Sequence, residues 1–195
     1  MGHEVCEMTS SPARFPGSLI DGPSEIIAIS GLAGSGKNTV SGQVAKKLGW
    51  GIVEPTFKTL AAKEGITLMQ FQEKAKKDPC IDKKFDAALQ EECQAGNCVV
   101  ATWLGPWMAP GKPFRVWLDV PQGIRAKRVA GREGGKIEST LAHIKKRDAD
   151  NHERYKKVYW IDIFDHAGFD MVLDASAKTP EQLAIEIVKA YKKRK

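Results

Sequence analysis

The chain has 195 residues, 42% hydrophobic and 28% charged, which suits one ordinary globular domain with room for a small insertion. No apolar run approaches a membrane span, and the N-terminus lacks a signal peptide's hydrophobic region, so neither a membrane protein nor an exported one is expected. Of the net charge of +6, Lys192, Lys193, Arg194 and Lys195 supply four and leave two for everything else, which gives no ground for expecting nucleic-acid recognition.

Residues 1–24 hold Pro12, Pro16 and Pro23 among Ser and Gly without apolar periodicity, and read as a flexible leader to a domain over 25–195. Ile26-Ile27-Ala28-Ile29 has the composition of a buried parallel strand. A glycine-rich turn follows, and Thr39 to Leu48 continue at helical spacing with Gly49 at the end. Gly51-Ile52-Val53 makes a short second strand. A helical block over about 55–96 comes next. One short helix runs from Phe57 to Glu64-Gly65, and Thr67 caps a second over 68–76. Asp78-Pro79 opens a third, in which Ile81, Phe85, Ala88-Leu89 and Cys93 recur at three- and four-residue intervals. This block is a candidate insertion that would cover a second substrate.

Cys98 to Ala101 and Phe114 to Leu118 are further buried strands, the latter ending in Asp119. Between them Trp103, Trp107 and Met108 form an aromatic loop at a strand's carboxyl end, where open α/β sheets bind ligands. Helix-to-sheet packing is the plainer use of these tryptophans. Pro121 opens a helix through Arg125 and Arg128, and Gly131, Arg132 and Gly134-Gly135 then mark a short lid over about 131–137. A long helix from about Glu138 to Tyr159 carries Arg147 and Arg154, two turns apart and on one face. Asp170 to Asp174 is a last strand, and Thr179-Pro180 start the final helix. Strands alternating with helices predict a five-stranded parallel sheet with helices on both faces. Cys6, Cys80, Cys93 and Cys98 make no Cys-x-x-Cys pair, so neither a zinc site nor a disulfide framework is expected. A reducing cytoplasm fits that pattern, and a monomer is the expectation.

Strand, Gly31-Leu32-Ala33-Gly34-Ser35-Gly36-Lys37, helix is the setting of a phosphate-binding loop. The glycines let successive N–H groups turn toward one anion, the helix N-terminus adds its positive end, and Lys37 adds a full charge for the outer phosphates. A mere glycine-rich turn with a surface lysine would leave the flanking strand and helix as coincidence. The predicted donor site is Gly31, Leu32, Ala33, Gly34, Ser35, Gly36, Lys37, Asn38 and Thr39. Asn38 stands where a Ser or Thr hydroxyl normally meets magnesium, so the ion would be met by the Asn38 carbonyl, by Thr39, or through water.

Over about Ile26 to Tyr191 the chain resembles the archaeal-type cytidylate kinases of the nucleoside monophosphate kinase group. The resemblance rests on Gly31–Lys37, Phe57-x-x-Leu60-Ala61, Gly65-Ile-Thr-Leu68-x-x-Phe71 and Ile81-Asp82-x-x-x-Asp86. It continues through Trp107-Met108 and Val116–Asp119, and is strongest in Arg125–Glu133 and Arg154–Asp162. It implies a P-loop kinase fold with a helical acceptor-binding insertion and a lid, and phosphoryl transfer from ATP with Mg2+ to a nucleoside monophosphate, CMP or dCMP first. It further implies Lys37 on the donor phosphates, Arg128 and Arg132 closing from the lid, and Arg147 and Arg154 clamping the transferring and acceptor phosphates. The acceptor side departs from the family. Lys58 stands for an arginine, Ala87-Ala88-Leu89 for Arg-Arg-Gln, and Ala101-Thr102-Trp103 for Glu-Gly-Arg. The carboxylate missing at Ala101 weakens the magnesium environment, while Lys58 for the phosphate and Trp103 or Trp107 for the base are the candidates to compensate. An active kinase with an altered acceptor site, a nucleotide-binding protein that has lost efficient transfer, and a basic nucleic-acid-associated ATPase are the readings in play.

Overall fold

Ile26–Ser30 (β1) is buried along its whole length, as an uninterrupted apolar run must be when helices cover both its faces. A computed structural model describes residues 25–55, 57–67, 69–71, 74 and 80–194, without the side chains of residues 57, 58, 80 and 82–84. The expected leader over 1–24, the opening of a helix by Asp78-Pro79 and most of the helix over 68–76 lie outside the described residues.

After β1 come α1 (Lys37–Leu48), β2 (Gly51–Val53), α2 (Phe57–Lys63), α3 (Cys80–Cys93) and β3 (Cys98–Val100). They are followed by α4 (Gly105–Met108), β4 (Phe114–Asp119), α5 (Gln122–Glu133), α6 (Ile137–Tyr159), β5 (Met171–Asp174) and α7 (Pro180–Arg194). The five strands form one parallel sheet in the order β2-β3-β1-β4-β5, with Ile27 abreast of Val99 on one side and Phe114 on the other.

Successive β1 side chains serve opposite layers, because side chains alternate across a strand. Ile27 and Ile29 pack with Val40 and Val44 of α1 and with Leu183 and Ile187 of α7. Ile26 and Ala28 pack with Val100 and with Leu89 and Cys93 of α3. Helices on both faces follow from that split. Thr179 heads α7 in a reciprocal cap, its hydroxyl accepting from the Gln182 N–H at 3.2 Å and its own N–H donating to the Gln182 side chain at 2.8 Å.

The chain leaves β1 toward β2 on one side and leaves β3 toward β4 on the other. That reversal opens a crevice at the carboxyl ends of β1 and β3, where doubly wound sheets place their ligands. α5 runs unbroken through Gly131 and stops at Gly134, whose left-handed φ of 73° suits glycine, so three residues link it to α6.

An ion pair in the interior fixes those two helices. Arg125 Nη1 lies 2.7 Å from Asp148 Oδ2, and both side chains are almost fully buried. Arg125 also donates from Nη1 to the Ala33 carbonyl and from Nε to the Val120 carbonyl, each at 3.0 Å. Removing one partner of a buried pair strands the other charge and costs about 3–5 kcal/mol. Asp148→Ala is therefore expected to lower Tm by about 6 °C or more at this chain length. A fall under about 2 °C in a thermal melt would show that the pair does not hold the helices.

Candidate active site

Helix α1 begins after Gly36, in the left-handed region at φ 89°, with no side-chain cap and no acidic residue in its first turn. Its first N–H groups are thus left to an outside acceptor, and the helix dipole makes an anion the preferred one. The loop before it is held from behind. A Cβ on Gly34 would stand 2.8 Å from the Arg125 carbonyl oxygen and 2.9 Å from Val129 Cγ2, so only glycine lets α5 pack this closely. Arg125 takes the Ala33 carbonyl, and Arg128 donates to Ser35 O at 3.3 Å, Ala175 O at 2.7 Å and Ser176 O at 3.0 Å.

Three cations gather in front of the loop. The Lys37 ammonium is pushed down to about 8, first by burial, then by the charges of Arg147 and Arg132. Lys37 Nζ lies 5.7 Å from the centre of the Trp103 ring and Arg147 Cζ 6.0 Å from the same ring. The indole thus sits beside both cations as a weak, neutral partner. Trp103 is set there by its backbone, whose carbonyl accepts from the buried Ser30 hydroxyl at 2.6 Å and ties the loop after β3 to the end of β1.

Glu54 follows directly on β2, and its Oε2 accepts from Asn38 Nδ2 at 3.0 Å. Its charge reaches Lys37 as well, opposing the depression. Nothing in the spacing of the sequence singles out Glu54; the sheet brings it beside the start of α1. Asn38, Thr39 and Glu54 are hard oxygen donors of the kind magnesium takes. Among the described residues no group of three or more His, Cys, Asp or Glu forms a cage. That donor set fits an ion held chiefly by substrate phosphates with one or two protein oxygens.

The predicted arginines divide. Arg132, at the end of α5, is exposed and pairs with Glu133 at 2.6 Å, while Arg147 faces Lys37 from α6. Arg154 lies two turns further along α6 against the Tyr155 ring, 5.1 Å from its centre. Arg128 differs from the expectation of a lid arginine. It lies inside continuous α5, before Gly131, and its guanidinium is engaged by three backbone carbonyls, which makes it a positioning group for the loop. Trp107 packs edge-on against Phe169 at 5.1 Å, the plain packing use, whereas Trp103 belongs to the site. Ala88 is half-buried and Ala101 buried, so neither position presents charge, and the Lys58 side chain lies outside the described residues.

Among solved structures, the chain is similar to a gluconokinase from Sinorhizobium meliloti 1021, with a TM-score of 0.56 and 20% identity over 88% of this chain and 93% of that one. It is similar also to a shikimate kinase from Acinetobacter baumannii, with a TM-score of 0.56 and 18% identity over 88% and 95%. These share its P-loop kinase fold. Among relatives, a cytidylate kinase of Pyrococcus horikoshii is 37% identical over 167 residues, 85% of this chain and 86% of its own. One from Pyrobaculum islandicum is 40% identical over 154 residues, 77% and 84% of the two chains. The model of the cytidylate kinase-like family matches residues 26–177. With sheet, phosphate loop and relatives in agreement over most of its length, the chain belongs to the cytidylate kinase-like family.

Proposed function

We propose that the protein transfers the terminal phosphoryl group of ATP to a nucleoside monophosphate, CMP or dCMP first, through an acceptor site unlike that of its relatives. The observation that carries this reading is the placement of Lys37 and Arg147 at the Trp103 ring in front of the uncapped start of α1, with the charge of Arg132 also felt at Lys37. Desolvation and the neighbouring arginine charges outweigh the opposing carboxylates of Asp148 and Glu54 at Lys37, and a polyphosphate relieves that imbalance. The cytidylate kinase relatives support the acceptor class. A cytoplasmic location belongs to this reading because ATP and nucleoside monophosphates are its substrates; separately, no helix among the described residues is long and apolar enough to cross a membrane.

In this mechanism the N–H groups of the loop and of the first turn of α1 receive the donor phosphates, apart from that of Ser35, which donates to the Leu32 carbonyl at 3.0 Å, and Lys37 bonds the outer ones. Arg147 and Arg132 spread the charge that develops on the transferred group, which is what phosphoryl transfer asks of a protein. Arg154 holds the acceptor phosphate, and Arg128 and Arg125 keep the loop's carbonyls turned away. The residues over about 131–137 close over the donor. Magnesium, when bound, neutralises phosphate charge, and Asn38, Thr39 and Glu54 are the side chains that would meet it directly or through water. The alanines at 88 and 101 and the indole at 103 leave the acceptor phosphate fewer charged partners than the family pattern provides.

Lys37→Ala is expected to abolish ADP formation with any acceptor while the melting transition is kept. Turnover at the normal rate would remove the loop as donor site. A panel of nucleoside monophosphates assayed for acceptor-dependent ADP production tests the rest: a saturable response to CMP or dCMP supports the kinase reading, and no response to any acceptor overturns it. Two lost charge-assisted contacts weaken an acceptor by roughly two orders of magnitude, so CMP is expected to saturate only well above ordinary micromolar levels. Trp103→Arg should lower its KM about tenfold; a higher KM would show that the phosphate is held otherwise.

The Lys37 ammonium also sets a pH dependence. With its pKa near 8 in the free protein, ATP binding must protonate the neutral fraction, so affinity weakens as pH rises through 8. Calorimetry in buffers of different ionisation enthalpy should detect uptake of about half a proton at pH 8 and close to a full proton at about pH 9. No uptake at either pH would mean that Lys37 is already charged without ligand.

A further inference from the structure

Glu54 and Ala101 stand abreast. The last register pair of β2 and β3 is Val53 with Val100, and the Ala101 N–H donates to the Val53 carbonyl at 2.9 Å, so the next step along both strands places Glu54 beside Ala101. Adjacent strands lie about 4.8 Å apart, less than the reach of a glutamate side chain. The resemblance drawn from the sequence implies a carboxylate at the position of Ala101, and Glu54 offers one from the neighbouring strand. Its Oε2 takes the Nδ2 hydrogen of Asn38, the residue that replaces the usual hydroxyl after the loop lysine. An amide whose nitrogen is committed to a carboxylate has its oxygen left for a ligand, and that oxygen is a hard donor.

We propose that Asn38 and Glu54 together form the protein's half of the divalent-cation site. Asn38 supplies its amide oxygen where a hydroxyl is usual, and Glu54 fixes which end of the amide faces the ion and adds the negative charge absent at Ala101. Both departures from the motif are then one rearrangement: the charge moved one strand over, and the ligand after Lys37 changed to a side chain that this carboxylate can orient. The inference rests on nucleotide binding at the loop, and not on the acceptor or on transfer.

The test reads metal rather than turnover. Free Mn2+ is counted by electron paramagnetic resonance in titrations of the full chain with ADP, for the unmodified protein, Glu54→Gln and Asn38→Ala. A glutamine can still accept the Asn38 hydrogen bond, so a merely structural role would leave Mn2+ affinity unchanged. Loss of a group orienting a metal ligand typically weakens binding ten- to a hundredfold, and the Mn2+ affinity of Glu54→Gln is expected to fall by about tenfold or more. Asn38→Ala should show a loss of the same order. Mn2+ affinity within about twofold of the unmodified protein in either variant would overturn the proposal. Failure of the unmodified protein to bind ADP would overturn both readings. Intact, Glu54-dependent Mn2+ binding without phosphorylation of any acceptor would remove the kinase reading alone.

Discussion

The site depends on which atoms of the loop are bound from behind. A phosphate-binding loop needs its N–H groups unclaimed, yet a glycine-rich segment with nothing holding it would lose its shape. Arginine resolves this because it has donors only. Arg125 on the Ala33 carbonyl and Arg128 on the Ser35 carbonyl fix the backbone through its acceptors and cannot compete for its donors. Arg125 is itself anchored by Asp148 on α6, so the shape of the loop is tied to the helix that delivers Arg147. Buried charge at that point makes structural sense for this reason: an apolar pair would pack α5 on α6 equally well but would hold no carbonyl.

The front of the loop is the electrostatic opposite. The charges of Arg147 and Arg132 both act against that of Lys37, and the indole of Trp103 offers Lys37 and Arg147 only a weak quadrupole attraction. Burial acts first and the arginine charges add to it, which is why the lysine loses its proton more readily than usual. On the proposed reading an anion of several charges relieves this arrangement, and its binding and the uptake of a proton by Lys37 are one event.

Much of this was legible in the sequence where local pattern fixes the outcome. The apolar run of β1, the glycines, Lys37 and the cap at Thr179 each act within a few residues, and the five strands fall where their composition put them. The two functions of the arginines were not separable there. Arg125, Arg128 and Arg132 recur at three- and four-residue steps on one helix, and only the packing of α5 on the loop turns Arg125 and Arg128 to carbonyls while Arg132, at the helix end, reaches Lys37. Trp103 and Trp107 likewise look alike in sequence, and are separated by the anchoring of Trp103 to Ser30 and the packing of Trp107 on Phe169.

Glu54 shows why a motif read one position at a time overstates loss. Compared along the chain, Asn38 exchanges a hydroxyl for an amide, and the carboxylate that the resemblance leads one to expect at Ala101 is missing, which alone weakens the magnesium environment. In a parallel sheet, however, the neighbours of a strand-end residue are the ends of adjacent strands, here separated from it by more than forty residues of chain. A charge can move between such neighbours with little change in its distance from the loop, because strand spacing is shorter than a glutamate is long. Local electrostatics constrain the sum of charge around the phosphates more tightly than the residue that bears it. The acceptor positions at Ala88 and Trp103 differ in kind. A phosphate held by an arginine fork needs that fork's planar geometry as well as its charge, so no neighbouring cation replaces it equivalently. On the proposed reading, the rearranged metal side can therefore keep its chemistry while the acceptor side is where selectivity would change.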